Sequence, residues 1–183
     1  MFDSILLDLI VRTTKGINPM IRTAIILAAG LGSRMGNLTK EIPKGFLEIN
    51  NKTLIKRSIE VLQRNGIDKI IIGTGHLSEH YDNLAAEYSN LITCVKNDRY
   101  TISSSMDTLF NLRDSIKEDF FLLESDLLYE DRAVAALQRA YQKNIVLASG
   151  RTYSNDEVFI NTDIDGSLLS MTKDPRAAKK AFG

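Results

Sequence analysis

Three glycines stand close together in Ala28-Ala29-Gly30-Leu31-Gly32-Ser33-Arg34-Met35-Gly36, directly after the apolar run Thr23-Ala-Ile-Ile-Leu-Ala28. Such a loop lets the backbone approach a ligand closely and turns its N–H groups inward, which suits a polyphosphate. Arg34 lies inside the loop and Pro43-Lys44 follows it. Pro43 has a fixed φ and no N–H donor, so it can hold Lys44 in a set direction. Arg34 and Lys44 then offer a guanidinium fork and a point charge to the same phosphates. Two commoner phosphate motifs fail on spacing. A P-loop ends in Gly-Lys-Ser/Thr, which is absent here, and a dinucleotide fingerprint needs its third glycine where Met35 stands.

The elements that must position these groups read as alternating strands and helices. Thr23–Ala28 is continuously apolar, as in a strand buried on both faces of a parallel sheet. Thr53 to Asn65 follows helical periodicity through Leu54, Ile55, Ile59 and Leu62, and Gly66 stops it just past the C-cap. Lys69–Gly73 reads as a second strand, Ser78 as the N-cap of a helix to about Tyr88, and Leu91–Val95 as a third strand. Ser105–Ile116 reads as a helix, with Ser104 and Ser105 able to cap it, and Phe120–Glu124 as a fourth strand. Asp131 is predicted to cap a helix to about Gln142, followed by a strand over Asn144–Ser149. Val158–Asn161 and Leu168–Thr172 form a predicted hairpin around Asp163-Ile-Asp-Gly166, and Asp174–Ala181 a last helix. This alternation implies a three-layer α/β/α sandwich with a mostly parallel central sheet and right-handed crossovers. Ligands of such sheets bind beyond the carboxyl ends of the strands, so chemistry is expected in the loops after Ala28, Gly73, Val95 and Glu124. Residues 1–20 read as an N-terminal extension, with Phe2, Ile5, Leu6, Leu9 and Ile10 at helical spacing over Asp3–Thr14, and residues 21–183 as one domain.

Composition narrows the function classes. The chain has 183 residues with 23 Lys+Arg against 23 Asp+Glu, a net charge of zero that argues against a general nucleic-acid binder. No apolar run approaches the roughly 18 residues of a membrane helix, and Asp3 and Asp8 occupy the place of a basic signal region. The single cysteine, Cys94, forbids an internal disulfide and fits a reducing cytoplasm.

Leu27-Ala-Ala-Gly-Leu-Gly-Ser-Arg-Met35 with Pro43-Lys44 resembles the signature of nucleotidyltransferases of the sugar-phosphate and choline-phosphate type. The resemblance implies a nucleotide-diphospho-sugar transferase-like, Rossmann-like fold. It implies that the backbone from Leu27 through Ala28, Ala29, Gly30, Leu31 and Gly32 to Ser33 holds the base and ribose of a nucleoside triphosphate, that Arg34 takes its β- and γ-phosphates, and that Lys44 takes the α-phosphate and the incoming nucleophile. Such an enzyme needs an acidic Mg²⁺ ligand at a strand end, and Phe120-Phe-Leu-Leu-Glu124-Ser125-Asp126 supplies Asp126, with Glu124 on the same face by the period of two. Asn97-Asp-Arg-Tyr100 to Ser103-Ser104-Ser105-Met106 is similar to a family stretch that contacts nucleotide and acceptor, although Ile102 and Asp107 depart from it. Hydroxyls at a helix N-terminus also suit a phosphate or ribose in their own right. Gly75-His76 would border the base pocket.

Further matches in Lys44-Gly-Phe-Leu-Glu-Ile49, Ile71-Ile-Gly-Thr-Gly-His76, Leu122-Leu-Glu-Ser-Asp-Leu127 and Leu147-Ala-Ser-Gly150 with Asp156-Glu-Val158 resemble the phosphonate cytidylyltransferase branch, with choline-phosphate enzymes as near neighbours. That branch couples CTP to 2-aminoethylphosphonate, in some members as a domain fused to a transaminase. Asp156 and Glu157 could receive an amino head group, and Ser105 and Glu124 the rest of the acceptor. Members of the family continue past the counterpart of Gly183 into strands that bring a second metal-binding Asp, so the chain reads as C-terminally incomplete. Three alternatives stay open: a sugar-1-phosphate nucleotidyltransferase, a CTP-binding module without catalysis, and a zinc hydrolase using His76-Leu-Ser-Glu79-His80. Against the last, an N-cap at Ser78 leaves His76 outside the helix that the pattern needs.

Overall fold

The computed structural model describes residues 20–32, 35, 40–150, 157–174 and 176. The helix expected over Asp3–Thr14, most of that over Asp174–Ala181, and Ser33, Arg34 and Asp156 lie outside them. The described residues fall into two compact units, one within Pro19–Gln138 and one within Arg139–Gly183.

In the first unit the elements run β1 (Thr23–Ala28), β2 (Glu48–Ile49), β3 (Lys52–Thr53), α1 (Leu54–Arg64), β4 (Lys69–Thr74), α2 (Ser78–Glu87), β5 (Ile92–Lys96), α3 (Ser105–Asn111), β6 (Phe120–Glu124) and α4 (Asp131–Arg139). Strands β1, β4, β5 and β6 form one parallel sheet in the order β5-β4-β1-β6. Side chains alternate across it. Ala24, Ile26, Ala28, Ile70 and Ile72 meet Ile55, Ile59 and Leu62 of α1, Tyr81 and Leu84 of α2 and Val134 of α4. Ile25, Leu27 and Ile71 meet Leu112 and Leu109 on the other side. Both faces of β1 and β4 are therefore covered, as their unbroken apolar runs required, while β6, at the edge of the described sheet, leaves Leu122 exposed. The registers pair Leu27 with Glu124, Ala28 with Thr74, and Thr74 with Lys96. All four strands thus end at one level, and the loops that follow them open on one edge.

Local chemistry explains most boundaries. Thr53 caps α1 by accepting from Lys56 N–H at 3.3 Å. The helix ends with Gly66 at φ +86, where Gly66 N–H reaches Gln63 O and Ile67 N–H reaches Leu62 O, a Schellman closure. The β2–β3 hairpin, unmarked by hydrophobic period, turns through Asn50 and Asn51, both at positive φ as a type I′ turn requires.

Several expectations are corrected. Ser78 is the first helical residue of α2, not its cap; the chain enters through Leu77 at φ 53, because His76 N–H is held on Ala29 O and Tyr100 packs against Gly75. Helix α3 stops at Asn111 and continues as a 3₁₀ turn over Arg113–Ser115, which buries Leu112 against the sheet. Asp131 does not cap α4; its carboxylate instead accepts from Arg64 at the end of α1 and from the C-cap of that helix, Asn65. Residues 144–149 are irregular, with Val146 and Leu147 exposed and no ladder partner among the described residues. Within the second unit, β7 (Phe159–Thr162) and β8 (Leu168–Thr172) form the expected antiparallel hairpin. Asp163 closes its turn by accepting from Asp165 N–H and Ser167 N–H.

Candidate active site

Pro43, at φ −68, leads into a single 3₁₀ turn over Lys44–Phe46. Asp126 stands two residues beyond β6, and the intervening Ser125 N–H donates to Leu27 O at 3.0 Å, tying this bend to the end of β1. The two segments bring Lys44 Nζ to 3.0 Å from Asp126 Oδ2. Their side chains are 25% and 35% exposed, so the pair adds little to stability and both groups stay open to a ligand. Glu124 shares the site. Desolvation lifts its carboxyl above the usual carboxylate range and the Asp126 charge adds to this, while Lys44 and a hydrogen bond from Ser105 pull the other way. Two carboxylates that feel one another beside an ammonium form a hard-oxygen cluster of the kind Mg²⁺ accepts alongside water.

The facing wall carries no charge of its own on the cleft. Asn97, 1% exposed, donates through Nδ2 to Ser103 Oγ and Thr108 Oγ1, both at 2.9 Å, and accepts from Arg99 N–H. This buried amide fixes the loop before α3. Ser104 caps α3 by accepting from Asp107 N–H, while the Asp107 carboxylate accepts from Ser104 N–H and Oγ, a reciprocal capping box. The Asp107 carboxyl is held below its ordinary range by those donors.

Between the walls lies a cleft of about 410 Å³, within the usual range of small-molecule sites. Of the residues singled out in the sequence, it gathers Leu27, Ala28, Ala29, Gly30, Lys44, Ser104, Ser105, Glu124 and Asp126. Others do not line it. Leu31 is exposed, and Gly32, at φ +68, accepts from Met35 N–H in a tight turn. Gly75 is a packing glycine, since a Cβ there would lie 2.6 Å from Tyr100 Cβ and 2.8 Å from Ala29 O. The His76 ring lies beside that of Tyr100, tilted by 37° with centroids 6.2 Å apart. Glu157 belongs to the second unit. Sequence reading passed over Tyr81, Thr108 and Ser125, which also line the cleft. Tyr81 and Thr108 look like ordinary helical core residues, and nothing in their spacing marks them.

The zinc pattern does not assemble. His76 precedes α2, and the His80 ring packs 5.3 Å from Phe46 instead of facing His76 across a helical turn. Among the described residues no cluster of three or more His, Cys, Asp or Glu could hold a metal, and no helix is long and apolar enough to cross a membrane.

Comparison with known proteins adds an independent finding. The profile of the MobA-like NTP transferase domain matches residues 24–181. The choline-phosphate cytidylyltransferase of Streptococcus pneumoniae is 34% identical over 108 residues, covering 59% of this chain and 46% of that protein. The 2-aminoethylphosphonate cytidylyltransferase of Lancefieldella rimae is 31% identical over 121 residues, covering 66% and 49%. The chain thus spans about half the length of these relatives. The solved structure of the CTP:phosphocholine cytidylyltransferase from Streptococcus pneumoniae aligns with a TM-score of 0.66 at 28% identity, covering 83% of this chain and 64% of that one. The parallel sheet with flanking helices is the Rossmann-like fold of those enzymes.

Proposed function

The chain belongs to the MobA-like NTP transferase domain family, and on that premise we propose that it transfers CMP from CTP to a small phosphonate or phosphate, 2-aminoethylphosphonate or phosphocholine being the acceptors to try first. The observation that carries the reading is the 3.0 Å approach of Lys44 Nζ to Asp126 beside the glycine loop. The names of the relatives support the choice of CTP and of an acceptor with an amino or ammonium head group.

In this reading the acceptor oxyanion attacks the α-phosphorus of CTP in line. The new P–O bond forms as the bond to the β-phosphate oxygen breaks, and pyrophosphate leaves with the electron pair. The nucleophile is already anionic near neutral pH, so no general base is required, and catalysis consists of positioning and charge neutralisation. Lys44 holds the α-phosphate and the attacking oxygen together, and Arg34 takes the β- and γ-phosphates. The backbone of Ala28 to Gly30 approaches the nucleoside, and the Ser104 and Ser105 hydroxyls face it from the other wall. Mg²⁺ held by Asp126, with Glu124 beside it, would offset the negative charge of the triphosphate.

The direct test is pyrophosphate release with Mg²⁺ across a panel of four NTPs and of phosphonate, phosphocholine and sugar-1-phosphate acceptors. Release that requires CTP and a phosphonate or phosphocholine is expected. Release only with a sugar-1-phosphate, or tight CTP binding with no turnover in any combination, overturns the proposal.

A further inference from the structure

Lys44 and Asp126 are distant in sequence, and the residues next to them in the chain, Gly45 and Ser125, are in contact. Gly45 lies against Ser125: a Cβ added at Gly45 would come 2.8 Å from Tyr81 Oη, 3.1 Å from Ser125 O and 3.3 Å from Ser125 Cβ. None of these neighbours can easily retreat. Tyr81 is fully buried in α2, its ring edge-on to Phe46 with centroids 5.1 Å apart. Ser125 is held by its N–H bond to Leu27 O. The Tyr81 hydroxyl sits against Gly45 and Ser125; burial pushes its pKa up to about 12, and the Ser125 side chain and the Gly45 backbone pull the other way.

We propose that Tyr81, Gly45 and Ser125 form a clamp that fixes Lys44 against Asp126, with Gly45 and Tyr81 as positioning residues for the transfer step. The missing side chain at position 45 lets the turn carrying Lys44 press directly on the bend carrying Asp126. A displacement of about 1 Å at such a site can cost on the order of 10²-fold in rate. The proposal rests on the nucleotidyl-transfer reading only for its kinetic measurement; the geometry stands apart from it.

The test is a double-mutant cycle of Gly45→Ala and Tyr81→Phe, followed by kcat and KM for CTP and by crystal structures. Gly45→Ala is expected to lower kcat by about tenfold or more with a smaller change in KM, and to lengthen the Lys44–Asp126 contact. Tyr81→Phe removes the nearest colliding atom, so in the Gly45→Ala background it is expected to recover part of the lost kcat and shorten the contact, whereas in the wild-type chain it brings no gain. Should Gly45→Ala alone not fold, the double variant must fold, or the contact is not what excludes a side chain at position 45. A Gly45→Ala protein with unchanged kcat and an unchanged contact, or a double variant no better than the single one, overturns the clamp. If the wild-type chain turns over no NTP, the functional reading fails while the crystal structures still decide the clamp.

Discussion

One wall of the cleft carries Lys44, Glu124 and Asp126, and the other, from Asn97 to Thr108, carries hydroxyls arranged around a buried amide. The charged wall is built by long-range contacts: a 3₁₀ turn after β1 meets the bend after β6, and the ion pair between them is partly open to solvent. The hydroxyl wall is built locally, by Asn97 reaching across one loop and by a capping box within α3. A wall of partly exposed charges adds little to folding but can act strongly on a phosphate. A wall whose hydroxyls are held by a buried, satisfied amide contributes to folding and to shape. Substitutions on the two walls should therefore separate into losses of rate and losses of stability.

Lys44→Ala should give the largest effect, a fall of about 10²-fold in turnover, by analogy with the loss of a preorganised donor, with the melting temperature nearly unchanged. Pyrophosphate release beside a thermal melt checks both halves; near-wild-type release would place the catalytic charge elsewhere. Asp126→Asn keeps the volume and removes the charge. It should raise the Mg²⁺ concentration for half-maximal rate by about tenfold, equivalent to about 1.4 kcal/mol of cation binding. A Mg²⁺ titration that superimposes on the wild-type curve would remove Asp126 from the cation site.

On the other wall the order reverses. Asn97→Ala leaves the Ser103 and Thr108 hydroxyls without their buried donor and Arg99 N–H without its acceptor. A loss of roughly 1–3 kcal/mol in unfolding free energy follows, read by denaturant titration, with KM for CTP moving more than kcat. If stability holds and kcat alone collapses, Asn97 acts on the substrate and not on the wall.

The two walls were also unequally legible. Strands β1 and β4 show themselves as unbroken apolar runs because both of their faces are buried, and β6 reads alike although it is an edge strand of the described sheet with Leu122 exposed; that pattern carried the three-layer fold and the level of the cleft. The glycine loop and Pro43-Lys44 are short-range signals, and Asp126 follows from a strand end. Gly45 and Tyr81 were not legible, because a glycine required by a residue in another helix leaves no local trace. The start of α2 failed for the same reason: Ser78 has the right chemistry for a cap, but the tie from His76 to Ala29 fixes the entry one residue earlier, at Leu77. The apolar run over 144–149 pairs with no strand among the described residues, and period alone could not say so.

Ser104→Ala is the smallest effect and the sharpest probe of how the hydroxyl wall is held. The substitution removes the acceptor for Asp107 N–H and one of the donors to the Asp107 carboxylate, leaving Ser104's own N–H as the other. That carboxyl is held below its ordinary range, first by the Ser104 N–H and then by the hydroxyl. For an acid with a depressed native pKa, the stabilisation is present above the unfolded value and disappears as pH falls through the native one. The wild type should thus melt a few degrees above Ser104→Ala at about pH 7, and the gap should narrow as the pH drops below the usual carboxylate range. It should not close, because the hydroxyl accepts from Asp107 N–H at any pH. Melting curves of the two proteins from about pH 7 to about pH 3 read this directly. A gap that stays constant with pH would mean that the hydroxyl stabilises α3 through its neutral hydrogen bond alone, and that the Asp107 carboxylate is held by the Ser104 N–H and not by the hydroxyl.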